Sequence, residues 1–233
     1  MTARFSRYEL RTVDLAAGRA FYEELLGAEP WGDALDVVPL PEPARARGAP
    51  AHWLGHVAVD DVEATARLFI AAGAEPLGPT RRAGDGSTRA ALRDPFGAVM
   101  ALTSAAARAE SPVARHLLCT RDQEAAFARY ASIFGWAAKD HHDLGDRGRV
   151  QDFAWAEGGE TVGSITDLAR QPQIHTQWLF YFTVADLDAA IATVRAGGGL
   201  VLPSHRFPDG GEGAACDDPQ GAAFGLYRAP RAR

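Results

Sequence analysis

Four times along this chain a short apolar segment runs into an Asp, and the amphipathic stretch that follows closes at a Gly. The openers are Asp14, Asp61, Asp122 and Asp186, and the stops are Gly27, Gly73, Gly135 and Gly198. An Asp side chain accepts from the unpaired amides of a first helical turn, and Gly takes a left-handed stop without a Cβ penalty. Between these marks apolar residues recur at helical spacing: Phe21, Tyr22, Leu25, Leu26; then Val62, Ala66, Phe69, Ile70; then Phe127, Tyr130, Ile133, Phe134; then Leu187, Ile191, Val194. The spacing predicts four helices, each burying one face. Recurrence at this period restricts the fold to a repeat architecture.

The second and fourth repeats share a fuller pattern. After the helix comes a Gly- and Pro-rich passage, then Asp94-Pro95-Phe96-Gly97 or Asp218-Pro219-Gln220-Gly221, then a closing apolar strand. Asp-Pro-x-Gly is turn chemistry. In the third repeat, Val150 to Trp155 and Thr161 to Ile165 flank Glu157-Gly158-Gly159-Glu160 and read as a hairpin. Each full repeat is thus strand, helix, then several strands. The first is shorter by about one hairpin with its turn, and its Pro39 to Pro50 stretch cannot pair as an interior strand. Ser104 to Pro112 reads as a linker or linking helix, which predicts two domains, 1–106 and 107–233.

The capping Asp residues, the Phe21-Tyr22 and Leu26-Gly27 pattern, its echo in Tyr130 and Phe134-Gly135-Trp136, and the two Asp-Pro-x-Gly turns together resemble the vicinal oxygen chelate superfamily. This is the glyoxalase, bleomycin-resistance and extradiol dioxygenase group. The resemblance covers nearly the whole chain and is greatest to tandem glyoxalase-like proteins of four βαβββ modules. It implies an α+β fold of two cup-shaped mixed sheets with helices on their outer faces. Each cup holds a divalent metal or a small ligand, and either sequential modules or modules exchanged between halves can share one. Fold membership does not by itself assign an activity.

Metal-binding relatives place His or Glu on the first strand, seven positions before the helix-opening Asp, and Glu on the last strand, four positions past the Gly of the turn. Counted on this chain, those places are Arg7, Leu54, Arg115 and Leu179, then Ala101 and Gly225. Divalent cations need carboxylate, imidazole or thiolate donors. No metal and no other cofactor is therefore expected. Asp140-His141-His142-Asp143 resembles a ligand cluster but reads as a surface turn, and His52 as a hydrogen-bonded imidazole or the completion of a displaced metal site.

Strand residues alternate in direction. One set, including Gly55, Val57, Val59, Phe180, Phe182 and Val184, suits the helix side, so the other set lines the cups: Arg7, Glu9, Arg11; Leu54, His56, Ala58; Arg115, Leu117, Cys119; and Leu179, Tyr181, Thr183. Glu9 and His56 occupy equivalent places, and a carboxylate with an imidazole can move protons near neutral pH. The alternative is that Glu9 pairs with Arg7 or Arg11, an exposed ion pair worth about 0–1 kcal/mol. Arg7 and Arg115 could offer fixed positive charge to a carboxylate or phosphate, or point to solvent at the strand entrances. The second cup is otherwise apolar, with Tyr181 as its polar handle, which suits an aromatic or hydrophobic ligand.

These readings define the functional alternatives. The first is a metal-free, glyoxalase-like protein holding a small organic molecule, anionic or aromatic, through Arg7, Arg11, Leu54, Arg115, Cys119, Leu179, Tyr181 and Thr183. The second is an isomerase, lyase or cyclase with Glu9 and His56 as acid and base, metal-independent or with a displaced metal. The third is an interaction module whose cups are filled by side chains. A formal net charge of -6 argues against nucleic acid or an anionic membrane as partner. Met1 to Leu10 carries no apolar run, so neither a secretory signal nor a spanning helix is expected there and the location is read as cytoplasmic. Cys119 and Cys216 read as reduced, buried thiols. Edge strands beside a missing hairpin invite a homodimer.

Overall fold

The computed structural model describes residues 2–27, 34–106, 111–145 and 148–230; residues 107–110 of the expected linker lie outside them. The strands form two mixed sheets, of seven strands between Arg4 and Thr103 and nine between Val113 and Arg228. No described helix is long and apolar enough to cross a membrane.

All four principal helices begin as the sequence dictates. The carboxylates of Asp14, Asp61, Asp122 and Asp186 accept from the amides of Ala17, Ala64, Ala125 and Ala189 at 2.8–3.1 Å. These caps open α1 (Leu15–Leu26), α3 (Val62–Ala71), α4 (Gln123–Phe134) and α5 (Leu187–Ala196), while the short α2 (Glu42–Ala46) starts after Pro41. Gly27, Gly73, Gly135 and Gly198 all take positive φ at the helix ends, a backbone region that side chains with a Cβ rarely enter.

The first module is β1 (Arg4–Thr12), α1, β2 (Leu35–Pro39) and α2, with β2 parallel to β1. A strand thus ends at Pro39, and a helical turn occupies the Pro-rich segment after it. The second module is β3 (His52–Ala58), α3, β4 (Glu75–Pro76), β5 (Arg81–Arg82), β6 (Thr88–Arg93) and β7 (Val99–Thr103). The third is β8 (Val113–Cys119), α4, β9 (Ala137–Asp143), β10 (Arg149–Ala154) and β11 (Gly163–Thr166). The fourth is β12 (Gln177–Thr183), α5, β13 (Leu200–Val201), β14 (His205–Arg206), β15 (Glu212–Asp217) and β16 (Ala223–Arg228). In every module the first strand pairs parallel with the last, and in the three longer ones the remaining strands follow antiparallel. Parallel pairing requires a crossover, and the capped helix supplies it.

The described residues fall into two compact units, one drawn from 1–7, 55–109 and 116–178, the other from 8–54, 110–115 and 179–233. The first unit contains α3 and α4, the second α1 and α5.

Each unit is centred on a buried Trp–Tyr–Asp chain. In the unit with α4, Trp178 Nε1 donates to Tyr130 Oη at 3.1 Å, and Tyr130 Oη donates to Asp94 Oδ2 at 2.7 Å. Asp94 opens an Asp-Pro-x-Gly turn, and its other oxygen accepts from the amides of Phe96 and Ala98. In the unit with α1, Trp53 Nε1 donates to Tyr22 Oη at 2.9 Å, Tyr22 Oη donates to Asp218 Oδ2 at 3.2 Å, and Asp218 Oδ1 accepts from Gln220 and Ala222. The turn carboxylate therefore pins both its own backbone and a helix of another module. Burial pushes the carboxyls of Asp94 and Asp218 upward, against the donors that hold them. Rings pack around both chains. Trp136 stacks on Tyr130 at 5.3 Å and on Phe153 at 4.7 Å, and Tyr22 meets Trp53 edge-on at 5.0 Å. Such pairs contribute about 0.5–1.5 kcal/mol beyond the area they bury.

Candidate functional site

The alternation expected for the strands holds in the fourth module. On β12, Phe182 packs toward Tyr22 of α1 and Phe224, whereas Tyr181 turns the other way, to His205 and Phe207. Parallel register also locates the last-strand place in every module, because the residue five before each capping Asp pairs with it. Glu9 pairs with Asp36, His56 with Ala101, Leu117 with Ser164 and Tyr181 with Gly225. Counting from the turns reached only Ala101 and Gly225, since the first and third modules lack that turn.

These places do not fit the divalent metal of the wider family. Arg, Leu, Ala and Gly supply no donor, the Ser164 hydroxyl is engaged by a carboxylate, and Asp36 alone carries an acid, with Oδ1 accepting from the Val37 amide at 2.9 Å. Among the described residues no three His, Cys, Asp or Glu side chains converge as a cation site would require.

What occupies the fourth-module place is an aromatic ring. A Cβ at Gly225 would stand 2.3 Å from Tyr181 Cδ1, so only glycine lets the Tyr181 ring lie against β16. Beside it, Arg115 of β8 extends between two more rings, its guanidinium carbon 4.8 Å from the Phe207 centroid and 5.4 Å from that of Tyr227. Arg115 Nη2 donates to Asp209 Oδ2, which also accepts from Tyr227 Oη at 2.5 Å. The Arg115 side chain is 10% exposed and that of Asp209 35%. Burial pushes the Asp209 carboxyl up, but the bonds from Tyr227 and Arg115 outweigh it and hold the group below the usual carboxylate range. Burial and the same bond push the Tyr227 phenol up, and burial lowers the His205 imidazole. The result is a guanidinium between aromatic faces, partly neutralised by a loop carboxylate, an arrangement suited to a planar anion.

The other expected site residues are distributed as follows. Leu54, Leu179 and Tyr181 are buried, Arg7 and Arg11 half-buried, and Thr183 exposed at the end of β12. Glu9 is buried, with Oε2 3.5 Å from Arg11 Nη2, in the unit containing α1. His56 is buried in the other unit, where its carbonyl accepts from Ser6 Oγ at 3.5 Å. Burial pushes the Cys119 thiol up to about 12, so at neutral pH it is a small apolar group. His52 is hydrogen-bonded through Nδ1 to the Pro50 carbonyl at 2.9 Å.

Asp140 to Asp143 is not a surface turn but part of strand β9, in which His142 pairs with Val150. Pairing with β10 supplies the order that Gly145 and Gly148 suggested was missing. The same pairing builds a row: His142 Nε2 lies 3.1 Å from Asp152 Oδ2, and Ser164 Oγ donates to Asp152 Oδ1 at 2.5 Å. Asp152 is buried and His142 one-third exposed, so a carboxylate orients an imidazole that solvent reaches. The period-two pattern of Val150, Asp152 and Ala154 was the available sequence signal, but partnership across three strands depends on register.

The fold and these places define a tandem glyoxalase-like protein without the donor set of a metal-binding cup. The chain matches the Glyoxalase/Bleomycin resistance protein/Dioxygenase superfamily over residues 4–102 and 113–226, and it belongs to that family. It is 26% identical over 246 residues to the protein named "Putative glyoxylase CFP32" of Mycobacterium bovis and Mycobacterium tuberculosis, covering 94% of this chain and 92% of that one. Among solved structures it is similar to the Mn(II)-bound glyoxalase from Novosphingobium aromaticivorans, with TM-score 0.63, 14% identity, and coverage of 99% of this chain and 82% of that one. It is also similar to 2,2',3-trihydroxybiphenyl 1,2-dioxygenase from Sphingomonas wittichii, with TM-score 0.62, 13% identity, and coverage of 98% and 91%. At such identities the likeness is one of fold.

Proposed function

We propose that this protein binds a small organic molecule without a metal, using the ring-lined Arg115 site, and that residues 1–106 and 107–233 are its two glyoxalase-like domains. The observation that carries the reading is the exchange of donors: an Arg at a first-strand place and a Tyr ring over Gly at a last-strand place. A fixed guanidinium keeps positive charge where relatives hold a cation, but it has no open coordination position and cannot act as a Lewis acid. Rings and one charged anchor are what a pocket for a small aromatic molecule needs.

The test is elemental analysis of protein expressed with manganese, iron, nickel and zinc present, followed by thermal denaturation against a panel of small aromatic compounds. Substoichiometric metal is expected, with no shift on adding these ions. A true ligand at a hundred times its Kd stabilises the fold by about 2.7 kcal/mol, a rise of several degrees. One bound metal ion per domain overturns the proposal.

A further inference from the structure

The Arg115 site already contains a carboxylate, and it belongs to the chain. Asp209 sits in the tight turn Phe207-Pro208-Asp209-Gly210 between β14 and β15. The Gly210 amide donates to the Phe207 carbonyl at 2.9 Å and the Gly211 amide to Asp209 Oδ1 at 2.9 Å. Its two oxygens therefore have separate tasks: Oδ1 shapes the turn, while Oδ2 alone reaches Arg115 Nη2 and Tyr227 Oη. The donors are the better protected partners. Arg115 is held between the rings of Phe207 and Tyr227 with one-tenth of its side chain exposed, whereas one-third of Asp209 faces solvent.

We propose that Asp209 is an internal stand-in for ligand, and that the site takes the carboxylate of a small aromatic acid, which displaces Asp209 Oδ2 from Arg115 and Tyr227. This rests on the binding function proposed above and names its ligand class. A carboxylate reproduces the planar, singly charged group already seated there, so both donors stay satisfied after the exchange. The aryl body is accommodated by the wall next to the guanidinium, where Tyr181 meets Phe207 edge-on at 5.3 Å and His205 lies 4.7 Å from Phe207. No covalent bond is made or broken; one ion pair is traded for another, and the Gly211 amide keeps its hydrogen bond to Asp209 Oδ1. The cost of expelling Asp209 lowers wild-type affinity for any anion whose acceptor oxygens do not meet both Arg115 and Tyr227, which makes the device a filter as well as a cover.

The experiment is isothermal titration of the full-length protein with benzoate, phenyl phosphate and the neutral isostere benzamide, for wild type, Asp209→Asn and Arg115→Gln. Asp209→Asn changes a partly exposed turn residue and retains a side-chain oxygen for the Gly211 amide, so it carries the test even if Arg115→Gln fails to fold. Benzoate is expected to bind Asp209→Asn at least ten-fold more tightly than wild type, to bind Arg115→Gln more weakly than wild type by a similar factor, and to outcompete phenyl phosphate. Benzamide is expected to distinguish none of the three proteins. Equal benzoate affinity in wild type and Asp209→Asn overturns the stand-in, and a preference for phenyl phosphate overturns the carboxylate assignment. Benzamide bound as well as benzoate leaves the pocket but removes the anion site. No binding of any probe to any variant, with no aromatic compound stabilising the wild type, removes the binding function itself.

Discussion

Tyr130→Phe removes one oxygen from the centre of a unit and leaves its shape unchanged. The side chain is fully buried, donates to Asp94 at 2.7 Å and accepts from Trp178 at 3.1 Å. A hydrogen bond to a charged group contributes about 1.5–3 kcal/mol, and an indole N–H left unpaired in the core costs about 1–3 kcal/mol. Because Asp94 keeps the amides of Phe96 and Ala98, the two losses do not add in full, and about 3 kcal/mol is expected. Urea unfolding followed by tryptophan fluorescence at pH 7 should show a midpoint lower by about 1 M with an unchanged slope. The deficit should also narrow in acid. Burial already raises the Asp94 carboxyl, and losing the Tyr130 donor raises it further. The variant therefore takes up its proton at higher pH than the wild type, and the gap closes as pH falls through that range. A loss under about 1 kcal/mol, or a gap that widens in acid, would show that the Trp–Tyr–Asp chain is incidental to packing. Tyr22→Phe in the other unit should behave alike, through Trp53 and Asp218.

Three further outcomes follow from the same structure. His116 is buried in parallel stacking on Phe5 at 5.0 Å, and burial lowers it from 6.5 to about 4. The unfolded chain then takes the proton first, so stability is lost as pH falls from 6.5 toward 4, by up to about 3 kcal/mol; denaturation at pH 7 and pH 4.5 should show this dependence and its reduction in His116→Phe. Gly225→Ala should destabilise by about 1–3 kcal/mol by forcing the Tyr181 ring off β16, measured by the urea midpoint and by weaker binding of any aromatic ligand. Asp122→Ala should cost about 1 kcal/mol through loss of the bond from the Ala125 amide, read from the same midpoint, with no effect on ligand affinity.

The site was legible in part because strand alternation is a local rule. Counting from Asp186 put Tyr181 on the open side of β12 and Phe182 on the helix side, and their ring contacts agree. The same counting missed Asp36 and Ser164, whose places emerge only from pairing with β1 and β8. Asp209 was visible only as part of a Gly-rich loop, and nothing near it in sequence points to Arg115.

What the sequence determined alone is everything decided within a few residues: four Asp caps, four Gly stops, the faces of helices and strands, and the turns opened by Asp94 and Asp218. Capping, helical period and pleat act over distances that chain connectivity already spans. Which side chains meet was decided only by the tertiary structure. Trp178, Tyr130 and Asp94, or Arg115, Asp209 and Tyr227, come from strands, a helix and turns far apart in the chain and meet only through long-range packing, and a one-residue change of register would turn the strand residues Arg115 and Tyr227 to the opposite face.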